Sequence, residues 1–359
     1  MALIRKCKDV FLYGTVILLL GSLMPHAYAN DKERCRINGN IPNDGPAGES
    51  YQKDKMTQML LDVPSPIDMY IKDWSRDDQN NFSMCLFDDG RPWISTLRPA
   101  YEQSFDIFKD WSQALNQLNR NKIKNQKSAS LALQEADYWI QYAWDARGRG
   151  FGSSVTDEGW KLFRERLLKA EKILVDTKPY SSDLPMWYDE MIVVQSALDR
   201  SPVERDKVFL EGAEKFKTYY PTYFTILNFL SPKWGGSWGA VDNLVTWSVN
   251  NTKETEGKSM YTRMYWAAYQ GLPEGTKLFR DSYVSWPKMK AGFDDLMQRF
   301  PNSNWNLNNY AKFACLANDK KTFIALRKKI GTNIIPDAWT LDANQDLCDQ
   351  KFNFSRSVK

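Results

Sequence analysis

Histidine is nearly missing from this chain: of 359 residues only His26 is one. It lies in an N-terminal stretch that reads as a leader, so the mature chain expected after cleavage has none. That excludes Ser-His-Asp and Cys-His relays and zinc sites built on imidazole. A dominant charge is missing too. Lys and Arg number 48 against 44 Asp and Glu, for a net +4. Removing the leader, with three positive charges and one negative, leaves +2. That is too little for a nucleic-acid or polybasic membrane surface, so neither partner is expected. Long apolar runs are also few. Residues 10–23 form one, short of the roughly 20 residues that span a bilayer, and no later segment approaches it. No stable membrane span is expected after cleavage. Alternating apolar and polar positions and a βαβ rhythm are both absent, which argues against a sheet.

Residues 1–29 have the parts of a secretory signal: Arg5, Lys6 and Lys8, then the apolar run, then Ala27-Tyr28-Ala29 as a small-x-small cleavage site. The expectation is a bacterial periplasmic or secreted protein cleaved near Ala29. Cys7 leaves with the leader, and Cys35, Cys85, Cys315 and Cys348 remain. An even cysteine count in an exported chain favours disulfides. Of three possible pairings, sequence distance favours Cys35–Cys85 and Cys315–Cys348.

The rest of the sequence predicts an all-α protein: an irregular tetratricopeptide-like array of antiparallel helix pairs behind an irregular N-terminal segment. Residues 30–98 read as that partly helical segment, 99–340 as the helical-repeat domain, and 341–359 as a C-terminal tail. Residues 30–50 read as irregular, 51–62 and 67–74 as short helices, and 99–118 as one helix carrying Phe105, Phe108, Trp111 and Leu115 on one face. Residues 156–175 are the clearest helix, capped by Thr156, with Trp160, Phe163, Leu167, Ala170 and Leu174 in one stripe. Ser201-Pro202-Val203-Glu204 opens another as a capping box, with Pro221 expected to close it. Twelve of fourteen tryptophans lie after residue 100, so aromatic packing belongs to the helical region.

The most distinctive run is Ser231-Pro232-Lys233-Trp234-Gly235-Gly236-Ser237-Trp238-Gly239. Pro232 ends one helix, the glycines permit positive φ and close approach, and Ser237 caps the next helix. A second is Trp144-Asp145-Ala146-Arg147-Gly148-Arg149-Gly150, where Gly148 stops a helix and Arg147 can meet its last carbonyls. Trp144, Arg147, Arg149, Trp234 and Trp238 form the candidate binding surface, with the guanidinium groups suited to carboxylates. The same residues have a bland reading: they fix how helix pairs stack, with Trp234 or Trp238 against the 144–152 corner.

Catalytic motifs fail one by one. Ser50–Lys53 and Ser285–Lys288 match Ser-x-x-Lys but lack the companion motifs. Residues 342–353 start like a calcium loop but place Leu347 where glycine is needed and Asn353 where glutamate is. Glu49-Ser50 lies in a Gly/Pro-rich stretch without the rest of a transglycosylase signature. Asp145, Asp157, Glu158, Asp189 and Glu190 remain as carboxylates for sugar chemistry, whose pairing is spatial. No catalytic residue, metal ligand or cofactor is assigned.

Three stretches together are familiar: Ala143-Trp144-Asp145-Ala146-Arg147-Gly148, Pro232-Lys233-Trp234-Gly235-Gly236-Ser237, and Asn302-Ser303-Asn304-Trp305-Asn306-Leu307-Asn308 with Phe313-Ala314-Cys315. The chain resembles a bacterial family known only as a domain of unknown function, over about residues 89–339. The resemblance implies helical, tetratricopeptide-like architecture and no assigned reaction, so it transfers no residue role. The functional expectation is a non-enzymatic protein- or peptide-binding module of the cell envelope. The rival is an envelope glycan-binding protein or carboxylate-based glycan-active enzyme, recognisable by tryptophans along one cleft with two carboxylates between them.

Overall fold

A computed structural model describes residues 44–62, 85–108, 110–148 and 150–354. The expected leader, Cys35, the helix at 67–74 and Arg149 lie outside them. Among the described residues the protein is all-α, with no strand and only two isolated bridges, Leu86 to Pro92 and Thr340 to Ala343.

Helix α1 spans Gly45–Asp62, α2 Leu97–Phe108, α3 Trp111–Lys124 and α4 Ala129–Arg147. Next come α5 Asp157–Ser181, α6 Met186–Ala197, α7 Pro202–Lys215 and α8 Tyr220–Leu230. Beyond them lie α9 Trp238–Asn251, α10 Lys253–Glu256, α11 Ser259–Gln270 and α12 Leu278–Asp281. The last are α13 Trp286–Arg299, α14 Asn304–Leu316, α15 Lys320–Ile330 and α16 Gln345–Phe352. Sequential neighbours pack together: α4 on α5, α5 on α6, α6 on α7, α13 on α14, α14 on α15; α11 also meets α8, α9 and α13.

Local chemistry sets the boundaries. Asp110, Ser128, Thr156, Ser201, Ser237, Ser303, Asp319 and Asn344 each accept a backbone N–H of the helix they precede. Five expectations need correction. Residues 99–118 are not one helix, because the Asp110 carboxylate caps Ser112 and starts α3 afresh. Helix α5 runs past residue 175 and through Pro179 to Ser181. Pro221 opens α8 instead of closing α7, in the first turn, where a missing N–H costs nothing. Residues 45–50 are helical and 345–352 form a helix, so neither segment is the irregular stretch or tail expected.

Two large hydrophobic clusters fill the interior, and the N-terminal segment contributes side chains to the first. Met56 and Leu60 of α1 pack with Ile94, Leu97, Tyr101, Ile140, Leu167 and Trp187. The second cluster gathers Tyr223, Met264, Phe293, Phe313, Phe323 and Phe352. The turn at residues 88–91 reaches this second half. Arg263 Nη2 and Asn306 Nδ2 both donate to the Asp89 carbonyl, at 3.4 and 3.2 Å. The Asp44 carboxylate accepts from Trp305 N at 2.9 Å and from Ser303 Oγ at 2.7 Å, where negative charge meets the positive end of α14.

Beneath this turn sits a buried charge cluster. Glu256, 1% exposed, accepts from Arg263 Nε (3.3 Å), Arg299 Nη2 (3.2 Å), Tyr220 Oη (2.7 Å) and Ser259 Oγ (2.6 Å). Burial opposes its ionisation, but the two guanidinium groups outweigh it and hold the carboxyl below its ordinary value.

Gly90 sits at φ +83°, and a Cβ there would lie 2.3 Å from the Phe300 ring and 2.8 Å from Arg263 Nη2. Gly235, at φ +84°, has nothing within 4 Å of the same position. Gly90→Ala is therefore expected to cost roughly 2–4 kcal/mol, from backbone strain plus overpacking. Gly235→Ala should cost only about 1 kcal/mol. Urea-unfolding midpoints check the pair; equal losses would show that the turn is not wedged against Phe300.

Candidate functional site

The candidate surface predicted from sequence divides in two. Helix α4 stops at Arg147 because Gly148 takes φ +75° and donates its N–H to Trp144 O at 2.9 Å. The Arg147 guanidinium lies 5.5 Å from the centroid of Trp144 and 5.3 Å from that of Trp160. Its Nη1 donates to the carbonyls of Gly148 (3.1 Å) and Gly150 (3.0 Å). Trp234 meets Trp144 edge to face at 5.9 Å. Arg147 is thus committed to closing this corner, with rings and carbonyls already around it. Trp144 is half-buried, Trp234 and Trp160 about two-fifths exposed, and Phe151 89% exposed.

Trp238 is elsewhere. It lines a cavity of about 130 Å³ with Phe224, Leu227, Pro232 and Ala268. The hinge before it works as its residues suggest. A Cβ on Gly236 would fall 2.0 Å from Leu230 O, and Ser237 Oγ caps α9 through Ala240 N at 3.1 Å.

The carboxylates considered for sugar chemistry do not gather in a cleft. Asp145 accepts from Trp111 Nε1, while Asp157 and Glu158 are exposed in the first turn of α5. Asp189 and Glu190 are buried inside the first hydrophobic cluster, near Arg98 and Asp137. Asp189 accepts from Thr222 Oγ1 at 2.6 Å, and burial pushes it up to about 7. Among the described residues neither oxygen of Glu190 has a hydrogen-bond partner; burial, with Asp137 next, pushes it well above the ordinary glutamate value. This is an acid kept neutral in a core and closed off from substrate.

The cavity with unanswered chemistry lies between α11, α14 and the segments 272–276 and 337–342. It encloses about 390 Å³ and is lined by Trp266, Tyr269, Trp305, Asn309, Lys312 and Asp342, with Gln270, Thr276, Asp337 and Thr340 among its other neighbours. Trp305, Asn309 and Lys312 stand four and three residues apart on α14, so they share a face. Lys312 is 4% exposed. Its ammonium makes no hydrogen bond or ion pair among the described residues. Its neighbours are rings: Phe313 at 4.9 Å, Tyr269 at 5.2 Å and Trp266 at 5.9 Å from their centroids. Burial lowers it to about 8, with Asp342 pulling weakly the other way. Asp342 is itself engaged, accepting from Tyr269 Oη and Thr340 Oγ1, each at 2.7 Å.

Two adjacent asparagines sharpen the contrast. Asn308 uses its whole amide: Nδ2 donates to Asn304 O and Asn333 O, and Oδ1 accepts from Ile335 N and Trp339 Nε1. Asn309, fully buried, donates Nδ2 to Trp305 O at 3.0 Å. A carbonyl can only accept, so this contact fixes which atom is nitrogen and leaves Oδ1 as the open one. Among the described residues that oxygen has no partner.

A wider groove of about 620 Å³ beside α13 and α15 differs in this respect: its Lys290 pairs with Asp319, and its Asp294 accepts from Tyr310 Oη. Sequence reasoning stopped at Asn308, one residue short of the cavity's polar groups. The available signal was Lys312 itself, a lysine between Ala311 and Phe313 in an otherwise apolar helix segment. No family model, curated protein or solved structure matches this chain. Among the described residues no helix is long and apolar enough to cross a membrane, and no cluster of His, Cys, Asp and Glu could hold a metal ion.

The buried acids predict a pH signature. The native state keeps protons on Asp189 and Glu190 that an unfolded chain releases above about pH 4. Stability therefore falls as pH rises through that value toward about 7, where Asp189 ionises in the native state. Glu190→Gln should lose less stability than wild type as pH rises above about 4, by up to about 1.4 kcal/mol per pH unit. Chemical denaturation across that range tests it, and parallel curves would refute it.

Proposed function

We propose that the protein is an exported, non-enzymatic module of the cell envelope that binds a protein or peptide, with the Lys312 cavity taking an anionic group of that partner. The observation that carries this reading is Lys312: a cation 4% exposed, walled by aromatic rings, with no ion pair among the described residues. An isolated buried charge is strongly unfavourable, and a ligand carboxylate would supply the missing counter-charge. Export is supported by the leader-like residues 1–29 and by the Cys315–Cys348 disulfide that the spacing predicts. Cys85 is disulfide-bonded as well.

The glycan reading keeps one specific support: Trp266, Trp305, Asp337 and Asp342 line the same cavity. It is weakened as an enzyme by Asp342. Burial would raise this carboxyl, but Thr340, Tyr269 and Lys312 together hold it below its ordinary value, whereas a glycosidase needs one carboxyl kept protonated.

Lys312→Met decides whether the lysine is present for binding. Removing an unpaired buried charge should raise the stability of the ligand-free protein by about 1–3 kcal/mol at pH 7. It should also weaken binding of a pool of short synthetic peptides by about tenfold or more, as read by calorimetry. A variant that is less stable, or binds the pool as before, contradicts the assignment. Binding of N-acetylated glycan fragments without any peptide binding would hand the cavity to the glycan reading.

A further inference from the structure

The cavity presents more than a positive charge. On one face of α14 its wall carries a cation, Lys312, and one turn earlier a buried acceptor without a partner among the described residues, Asn309 Oδ1. Residues three apart on a helix place their Cβ atoms about 5–6 Å from each other. Trp305 stands a further turn back, 6.0 Å from Trp266 across the wall. Trp305 is backed by Gly45, where a Cβ would come within 3.2 Å of its side chain, so this wall is firmly seated. A ligand that answers all three features needs an anion, an N–H donor close to that anion, and an apolar group beside both.

We propose that the Lys312 cavity binds the free carboxyl terminus of a peptide, with the terminal carboxylate on Lys312, the N–H of the last residue on Asn309 Oδ1, and the last side chain against Trp266 and Trp305. This rests on the peptide-binding reading given above. A terminal residue carries its carboxylate and its amide N–H on the same Cα, so one rigid unit satisfies cation and acceptor together. A side-chain carboxylate inside a peptide has no donor at fixed distance from it. A phosphate brings a larger negative charge, repelled more strongly than a single carboxylate by Asp337 and Asp342 on the cavity wall, and has no N–H for Asn309 Oδ1. The volume of about 390 Å³ falls in the range of roughly 300–1,000 Å³ typical of ligand pockets. It suits a terminal residue and part of the one before it, with Gln270 and Thr276 left for the preceding backbone.

The test uses the full chain and a pool of N-acetylated peptides with randomised last three residues, prepared as free acids and as C-terminal amides. Acetate serves as the bare carboxylate. Calorimetry on wild type should show the acids binding about tenfold or more tighter than the amides. In Lys312→Met that acid-to-amide ratio should collapse to about one, and in Lys312→Arg it should be partly retained. The ratio reports on the carboxylate and not on whether the variant folds well. Acids and amides binding alike to wild type would overturn the terminus assignment and leave peptide binding standing. Neither form binding would overturn both. Acetate competing at the same concentration as the acid peptides would show that the N–H and side chain contribute nothing, and would also overturn it.

Discussion

A buried polar group needs a partner, and the structure turns on how helix α14 meets that demand on every side except one. At its start, Ser303 caps Asn306 N while donating to Asp44, whose other oxygen takes Trp305 N. In the middle, Asn308 makes three hydrogen bonds that tie the helix to Asn333, Ile335 and Trp339. At its end, Cys315 is bonded to Cys348 of α16, and Lys351 donates to Cys315 O. Held in this way, α14 cannot rotate to bring Lys312 to a counter-ion or Asn309 Oδ1 to a donor. The unpaired groups are a consequence of a helix fixed at both ends.

That fixation draws on the N-terminal segment as much as on the helices themselves. The turn at 88–91 is wedged between Arg263, Phe300 and Asn306, and Arg91 holds Asp89 and Glu49. Arg263 is in turn locked by Glu256, which also gathers Arg299, Tyr220 and Ser259. In a low-dielectric interior, such a fully partnered network specifies one arrangement strongly. It couples α8, α10, α11 and α13 to the segment that seats α14. Glu256 and Lys312 are therefore opposite cases of one rule: a buried charge hydrogen-bonded to two counter-charges, and a buried charge that among the described residues has no ion pair, only the pull of Asp342 across the cavity.

Much of this was legible in the sequence because it is local. Caps at Ser237, Ser201 and Thr156, the stop at Gly148, the close approach at Gly236 and the Cys315–Cys348 pairing follow from residue type and spacing. The stacking of Trp234 on Trp144 follows from two distinctive motifs that read equally well as structural. What escaped was non-local. Trp160 fits the apolar stripe of α5 by spacing, yet it is two-fifths exposed, with Arg147 and not a neighbouring helix over one side of its ring. Residues 45–50 look like a loop, but Asp89 accepts Gly45 N from 44 residues away and sustains a helix there. Pro221 is as compatible with the end of one helix as with the start of the next, and only packing chooses. Lys312 escaped because a lysine in a helix is usually solvated. Its burial depends on Tyr269 and Trp266, some 40 residues upstream, and on the 337–342 segment that follows it.

The central claim is that Lys312 is a buried amine with no ion pair or hydrogen bond among the described residues. Its ionisation can be read directly by NMR titration of the full chain after reductive ¹³C-methylation of the lysines, with Lys312→Met identifying the resonance. The account predicts a signal that titrates near pH 8, apart from the exposed lysines at about 10.4 and shifting upward when a carboxylate ligand binds. A Lys312 signal that titrates with the exposed lysines, or does not move with ligand, would contradict it.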